Sequence, residues 1–146
     1  MITVARVSLN LKKIVINSFI YFGICFSSYV YATDYTISNG TTQTSRVTLT
    51  NNDTLTVDSG GEIDYTWPAV DADNRTFPAG TTTITNNGII EGNCCVIDIR
   101  SSTNPKLINN GTINGKSSSR TIYANNSVNA TIINNGDITI LGSSNY

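Results

Sequence analysis

The stretch Thr131-Ile132-Ile133-Asn134-Asn135-Gly136-Asp137-Ile138 decides the fold, because similar phrases occur three more times in this chain of 146 residues. These phrases are VTLTNNDTL at 47–55, TITNNGII at 83–90 and KLINNGTI at 106–113. In the last three phrases the Asn pairs begin at positions 86, 109 and 134, and the second interval is slightly longer than the first. A period of about 24 residues is typical of solenoid proteins. The chain is therefore predicted to be a stack of similar coils, each coil being one turn of the solenoid.

Superposing the four Asn pairs aligns two columns of aliphatic residues. Two residues before the pairs, the first column reads Leu49, Ile84, Leu107 and Ile132. Four residues after the first Asn, the second column reads Leu55, Ile90, Ile113 and Ile138. Each phrase therefore predicts a strand, a corner and a second strand. Each strand is expected to bury one aliphatic side chain, which is worth about 1.5–3 kcal/mol.

The corner between these strands is Asn-Asn-Gly in three phrases and Asn-Asn-Asp in the first. Asn and Gly tolerate the left-handed backbone conformation, so the corner is expected to use it. Stacked Asn side chains can also hydrogen-bond from coil to coil as amide ladders. The alternative is that they are solvated turn formers, needed only for their backbone preferences. The residues concerned are Asn51, Asn86, Asn87, Asn109, Asn110, Asn134 and Asn135.

A third strand is predicted at 96–99 and again at 121–124. Ile97 and Ile122 occupy the same place relative to the next Asn pair, at 109 and 134, so they form a further aliphatic column. The additional length of the longer repeat then falls in the turn at 116–120. Three strands per coil, with no convincing helix, predict an all-β fold, a right-handed parallel β-helix. The handedness follows from the usual crossover between parallel strands.

Residues 57–80 interrupt this rhythm, because the first two Asn pairs begin at 51 and 86, much farther apart than the later pairs. We expect residues 33–80 to form an irregular first coil or cap, with an insertion rich in aromatic and acidic residues. Trp67 would then cover the end of the core, since terminal coils of solenoids need capping. The alternatives are a protruding loop and an aromatic platform for carbohydrate. Residues 81–146 are expected to form the regular coils, truncated at the C-terminus.

The N-terminal residues 1–32 have the pattern of a signal peptide. A basic region containing Arg6 and Lys12 precedes a largely apolar stretch, and Val30-Tyr31-Ala32 offers a cleavage site after Ala32. The alternative is an uncleaved membrane anchor, since the apolar stretch is about 18 residues long. Export is therefore expected, with Thr33 as the first residue of the mature protein.

The charge and the cysteines restrict the partners and the chemistry. Without residues 1–32 the chain keeps six basic and ten acidic residues, a net charge near −4 that disfavours nucleic acid as a partner. Two cysteines remain, Cys94 and Cys95, and they are adjacent. They are interpreted either as two small side chains at the start of a strand or as a vicinal or intermolecular disulfide.

No catalytic constellation is visible in the sequence. The chain contains no histidine, and no serine or cysteine is accompanied by a plausible base, which argues against a hydrolytic triad. Asp98 with Arg100 is the best charged pair, and a solvated strand face explains it. Glu91, Asn114 and Thr139 are expected in one outward column. No metal-ligand spacing appears, so neither a metal nor a cofactor is expected.

Export followed by Ile-x-Asn-Asn-Gly-x-Ile at 84–90 and 132–138, with Leu107 in place of the first Ile at 107–113, resembles the passenger region of type V autotransporters, the pertactin-like β-helical proteins of Gram-negative bacteria. The resemblance covers about residues 46–142 and the signal. It implies export to the periplasm and display outside the cell on a C-terminal outer-membrane β-barrel. A non-catalytic, adhesin-like stem that contacts a host-surface protein or glycan is then expected.

The resemblance departs at the C-terminus, because the chain stops at Tyr146 and no barrel strands follow the last phrase. An N-terminal fragment of a longer passenger is therefore expected. The open end of its last coil would expose a strand edge and the ends of the aliphatic columns, so self-association through this end is expected. The alternative function is a secreted β-helical protein that binds or cleaves carbohydrate.

Overall fold

The computed structural model describes residues 31–116 and 120–140, which form fourteen strands and no helix. The part of the chain described thus offers no helical segment able to cross a membrane. The expected signal peptide lies outside these residues, except for Tyr31 and Ala32. The strands are β1 Asp34–Ile37, β2 Thr42–Gln43, β3 Val47–Thr48, β4 Thr54–Val57, β5 Glu62–Asp64, β6 Val70–Asp71, β7 Ile84–Asn86, β8 Ile89–Gly92, β9 Ile97–Asp98, β10 Lys106–Asn109, β11 Thr112–Gly115, β12 Ile122–Tyr123, β13 Thr131–Asn134 and β14 Asp137–Ile140.

The strands form three parallel sheets. Sheet A has the order β1-β4-β7-β10-β13, sheet B the order β2-β5-β8-β11-β14, and sheet C the order β3-β6-β9-β12. Successive strands along the chain therefore visit sheets A, B and C in constant rotation, and each coil advances the chain by one strand spacing. The prediction of an all-β parallel β-helix with three strands per coil is confirmed.

The aliphatic columns of the later coils run through the core in the expected register. Ile84 pairs with Leu107, which pairs with Ile132 in sheet A. In sheet B, Ile113 pairs with both Ile90 and Ile138. In sheet C, Ile97 pairs with Ile122. The stacking of these residues, predicted from the Asn pairs, is confirmed.

Burial of the columns is confirmed except in the last coil. Ile90 and Ile113 are fully buried, whereas Ile132 is 43 % and Ile138 38 % exposed. β13 and β14 are the edge strands of their sheets, and no described strand pairs with the side that faces away from β10 and β11. One side of their inward residues therefore faces solvent. The expected burial of these two isoleucines is therefore wrong, although their register is right.

The first phrase occupies a different pair of sheets from the one that the aligned Asn pairs predict. Leu55, and not Leu49, pairs with Ile84 in sheet A. Ile63 takes the place expected for Leu55 in sheet B, where it pairs with Ile90. Leu49 continues β3 in sheet C, where its amide donates to the carbonyl of Asp71 at 2.8 Å. The cause is that the turn after Leu49 leads from sheet C to sheet A, while the later Asn-Asn-Gly corners lead from A to B.

Residues 57–80 belong to the solenoid instead of interrupting it. Strands β5 and β6 lie within this range and pair with β8 and β9. The extra length of this coil falls between β6 and β7, where the aromatic ring of Phe77 enters the core and is 2 % exposed. The regular sheets also begin earlier than expected, at Asp34. The expectation of an irregular 33–80 segment is therefore corrected to two coils of the solenoid, of which the second has a long turn between β6 and β7.

The glycine of the Asn-Asn-Gly corner is needed for close stacking and not for a left-handed backbone. A Cβ atom at Gly111 would lie 2.1 Å from the carbonyl oxygen of Gly88, and one at Gly136 would lie 2.1 Å from that of Gly111. Neither glycine has a positive φ. The left-handed asparagines lie instead in the turns from sheet C to sheet A, at Asn52, Asn74, Asn104, Asn126 and Asn129.

Candidate functional site

An inner amide ladder runs through the corners between sheets A and B. Asn86 Nδ2 donates to Asn109 Oδ1 at 2.8 Å, and Asn109 Nδ2 donates to Asn134 Oδ1 at 2.7 Å. The same nitrogens also donate to backbone carbonyls of the next coil, those of Thr112 and Asp137. Asn86 and Asn109 are fully buried. The ladder thus satisfies amides that would be costly to bury unpaired.

An outer amide ladder runs parallel to the first on the surface. Asn110 Nδ2 donates to Asn87 Oδ1, and Asn135 Nδ2 donates to Asn110 Oδ1, both at 2.9 Å. Of the two interpretations of the asparagine pairs, the ladder is therefore confirmed for the last three phrases. Asn51 does not take part, because its Oδ1 accepts the amide of Thr76 at 2.8 Å.

Three carboxylates come together on the outward face of sheet B. Ligand oxygens of Glu62, Asp64 and Glu91 lie within 4.8 Å of one another. The Nζ of Lys116 lies 2.8 Å from Asp64 Oδ1 and 2.7 Å from Glu91 Oε1. Hydrogen bonds to Asp64 and then Glu91 raise the pKa of Lys116. The carboxylates could ligate a cation, but the lysine ammonium already takes the place between two of them.

This cluster was not recognised from the sequence. Glu91, Asn114 and Thr139 were expected in one outward column, and Asn114 does pair with both others. Asp64 joins the same column by pairing with Glu91. The misaligned first phrase hid this neighbour, because Asp64 was placed in an insertion. An alignment on Ile63 instead of Leu55 would have revealed it.

The outward face of sheet C carries a second charged cluster, centred on Asp98 and Arg100. The guanidinium donates to both carboxylate oxygens, with Arg100 Nη2 at 2.7 Å from Asp98 Oδ2. This bonding to Asp98 raises the pKa of Arg100 further. The Asp98 side chain is only 4 % exposed. The expected pair is present, but a solvated strand face is the wrong explanation, because the carboxylate is buried beneath the guanidinium.

The aromatic residues of this side of the molecule are engaged with arginines. The guanidinium carbons of Arg100 and Arg120 each lie 4.7 Å from the ring centre of Tyr123, a distance typical of cation–π contacts. Arg46 donates to the carbonyl of Trp67 at 2.5 Å and forms an ion pair with Asp71 at 3.2 Å. These contacts tie the turns of neighbouring coils together.

Trp67 does not cover the end of the core. It lies between β5 and β6, one coil inside the stack, and is 53 % exposed. The strands at the N-terminal end are β1, β2 and β3. The expected cap role of Trp67 is therefore wrong, whereas the alternative of an exposed aromatic platform stays a prediction.

Cys94 and Cys95 are free thiols whose Sγ atoms lie 3.2 Å apart. Cys95 is buried and lies directly before the strand residues Val96 and Ile97, in agreement with two small side chains at a strand start. Burial, with a contribution from the neighbouring thiol, raises the pKa of Cys95 to about 11. The thiol is therefore protonated at neutral pH, which makes it a poor nucleophile.

Comparison of the chain with family models, with curated proteins and with solved structures finds no match. The resemblance to autotransporter passengers therefore remains a prediction from the repeated phrases. The fold and its charged surfaces are the observations from which a function must be argued.

Proposed function

We propose that this chain is a non-catalytic, exported β-helical stem, the N-terminal part of an autotransporter-like passenger that projects an adhesive surface from a Gram-negative cell. One observation carries the proposal: the coils from β7 to β14 repeat the same strand, corner and ladder geometry in register. In such a stack each coil contacts only its neighbours, so length can grow without a new core. This is the property that a stem requires.

The chemistry of the surfaces supports a non-catalytic role. Lys116 neutralises part of the carboxylate cluster on sheet B, and Arg100 neutralises the buried Asp98. The raised pKa keeps the Cys95 thiol protonated. General acid–base and nucleophilic catalysis require groups that are free to transfer a proton or attack. The charged groups of these two clusters are engaged in holding the coils together.

The last described coil exposes its inward residues and the edges of its strands. Ile132, Ile138 and Ile140 are exposed there, and Asn134 Nδ2 turns back to the carbonyl of Gly136 at 3.0 Å. In the preceding coils the equivalent nitrogen bonds to an asparagine of the next coil. Because β13 and β14 are edge strands with exposed isoleucines, we expect copies of the chain to associate through them. Light scattering should then show a mass that rises with protein concentration.

Display on cells tests the proposal directly. The chain, with its own signal, would be fused in front of the outer-membrane barrel of an autotransporter and produced in Gram-negative cells. We expect an impermeant protease to digest it on intact cells and N-terminal sequencing to start at Thr33. Adhesion of these cells to surfaces coated with host proteins or glycans would be compared with cells that display the barrel alone.

Two results would contradict different parts of this proposal. Inner-membrane material that retains Met1 would contradict export by a cleaved signal. Surface display with no gain in adhesion on any coated surface would contradict the adhesin-like role while leaving the stem role in place. An Ile113→Asp fusion provides the matched control, because it should be exported but unfolded.

A secreted carbohydrate-binding protein is the second candidate, and one observation favours it. Trp67 is exposed and lies in the turn between β5 and β6, three residues after Asp64 of the carboxylate cluster. A large aromatic face beside polar groups offers both apolar contact and hydrogen bonds. Trp67 is the one tryptophan of the chain, so a saturable change of its fluorescence on titration with oligosaccharides would support this function. No change with any sugar tested would contradict it.

A further inference from the structure

Asp53 is a buried carboxylate that lacks an adjacent cation. It is 2 % exposed, and none of the ion pairs formed by the described residues includes it. The other buried carboxylate, Asp98, is paired with Arg100 at 2.7 Å. Burying an unpaired charge is costly. The proposed stem function does not explain why an aspartate occupies position 53.

The hydrogen bonds of Asp53 join the first two coils at their start. Oδ2 accepts the amide of Thr50 at 2.7 Å and its hydroxyl at 2.8 Å. Oδ1 accepts the backbone nitrogen of Thr33 at 2.7 Å. The carbonyl oxygen of Thr33 accepts a hydrogen bond from the amide of Thr54 at 3.0 Å. Thr33 is thus held against the strand β4 immediately before β1 begins.

The two residues that precede Thr33 are exposed and lie outside the sheets. Tyr31 is 86 % exposed, Ala32 is also exposed, and neither residue belongs to a strand. The sheet begins at the residue after Thr33. The solenoid therefore holds the chain from Thr33 onward and leaves the preceding dipeptide in solvent.

We propose that Asp53 is the receptor for the mature N-terminus, and that cleavage after Ala32 creates the ammonium group that pairs with it. This inference rests on the proposed export. Water hydrolyses the peptide bond, Ala32 leaves with the new carboxylate, and Thr33 keeps the nitrogen as an amine that takes up a proton at neutral pH. The same nitrogen that donates as an amide then donates as a cation, 2.7 Å from Asp53 Oδ1. Processing thereby supplies the missing counter-charge and fastens the first coil.

The surroundings of Asp53 contain one further cation among the described residues, and it is engaged elsewhere. The Nε of Arg75 donates to the carbonyl of Leu49 at 3.1 Å. It favours the carboxylate only as a distant charge, the weakest of the influences on this pKa. Thr50 contributes uncharged donors. The new ammonium would therefore be the nearest positive charge to Asp53.

A double-mutant cycle tests the pair. Four chains are needed: residues 33–146 and residues 31–146, each with Asp53 and with Asp53→Asn. The longer chain keeps the amide hydrogen bond but moves the positive charge two residues away. With Asp53, we expect the folding equilibrium constant of 33–146 to exceed that of 31–146 by about tenfold, which is equivalent to a rise of about one unit in the pKa of the Thr33 amino group. In the two Asp53→Asn chains, the difference should disappear.

A titration of the Thr33 amino group tests the ion pair without any variant, so it remains informative if a variant fails to fold. In the 33–146 chain with Asp53, we expect NMR to show the pKa of the Thr33 amino group above the usual range of about 7.7–8.0. An ordinary pKa, or equal stability of the two chain lengths with Asp53, would overturn the ion pair. A length effect that persists in the Asp53→Asn chains would do the same.

Failure of this inference can be told apart from failure of the proposed function. N-terminal sequencing of the exported product tests the cleavage site independently of the purified chains. Export with cleavage at another bond would overturn the role of Asp53 as receptor and leave the stem function intact. Retention of residue 1 would contradict export itself, whatever the cycle shows.

Discussion

The corner between sheets A and B has one structure in the first two coils and another in the last three. In the first two, four residues separate the strands, at 38–41 and 58–61, and Gly40 and Gly60 adopt a left-handed conformation. In the last three, two residues separate them, at 87–88, 110–111 and 135–136. The early corners are wide and the later ones are tight.

The type of residue that directly precedes the corner also differs between wide and tight corners. Ile37 and Val57 fill this position in the early coils, and Val57 pairs with Asn86, where the inner amide ladder begins. A wide corner leaves room for an aliphatic side chain, whereas a tight corner brings backbone carbonyls close to an amide that can bond to them. The solenoid therefore uses apolar burial in one half and hydrogen bonding in the other at equivalent positions.

The largest effect should come from a charge in the shared aliphatic column. Ile113→Asp places a carboxylate at a fully buried site of the tight-corner half, and we expect a loss of about 4 kcal/mol or more in the free energy of unfolding. The matched control is Ile132→Asp, whose side chain is already 43 % exposed and should cost about 1 kcal/mol. Urea denaturation followed by circular dichroism measures both. Similar losses for the two variants would contradict the column.

Two corner glycines should respond differently to a methyl group, because only one of them lies against the backbone of a neighbouring coil. In Gly111→Ala the new Cβ meets the carbonyl oxygen of Gly88, so neighbouring coils must separate, and we expect a cost of about 3 kcal/mol. In Gly40→Ala nothing lies within 4 Å, and only the left-handed conformation opposes the change, which should cost about 1 kcal/mol. The difference between the two thermal midpoints checks this. If Gly40→Ala were the more harmful, close stacking of neighbouring coils would not be the reason for glycine at position 111.

The inner amide ladder should matter more than the outer one. Asn109→Leu keeps the size of the side chain but removes its bonds to Asn86, Asn134 and the carbonyl of Asp137. We expect a cost of about 2 kcal/mol, because a buried amide loses its partner. Asn110→Ala in the exposed ladder should cost about 0.5 kcal/mol. Equal costs in chemical denaturation would mean that the buried ladder contributes no more than the surface one.

The smallest effect concerns acid sensitivity in the early coils. Burial raises the pKa of Asp53, but the donors of Thr50 and Thr33 outweigh it, so the pKa is lowered in the folded chain. A depressed pKa gives stability that is present above the unfolded value of about 3.9 and is lost as pH falls through the folded value. We expect Asp53→Asn to be less stable than the parent chain at neutral pH and to lose less stability on acidification. Denaturant midpoints between about pH 6 and pH 2 measure this, with the exposed Asp137→Asn as control; parallel curves for parent and Asp53→Asn would contradict it.

Much of the later half could be predicted from the sequence, because its repeats are local and nearly equal in length. The ladder residues Asn86 and Asn109 are 23 residues apart, and Asn109 and Asn134 are 25 residues apart. Aligning the Asn pairs therefore recovers the true register. The additional length lies between Gly115 and Ile122, as expected from the turn at 116–120. A side chain's neighbours are then given by its position within the phrase.

The early half could not be predicted in the same way. The stacked residues Asp34 and Thr54 are only 20 residues apart, whereas Leu55 stacks on Ile84, much farther along the chain. Residues that match between the phrases therefore do not occupy equivalent positions in the coils. The phrase at Asn51 has a sequence similar to the later ones, but its turn joins sheet C to sheet A, whereas the later turns join sheet A to sheet B. The local sequence cannot distinguish the two kinds of turn, because a turn between any two strands favours the same small polar residues.

The amino-acid sequence by itself determined the all-β solenoid and the aliphatic columns of the later coils, since both depend on short, repeated spacing. It placed the asparagines in register, and the structure decided that they form ladders instead of solvated turns. Tertiary structure alone decided which distant polar groups meet. Lys116 reaches Asp64 across 52 residues, and Asp53 receives Thr33 across 20. Such contacts depend on the summed length of every intervening turn. A change of one residue in any turn shifts the register of the strands that follow, and alternate residues of a strand face opposite sides of the sheet.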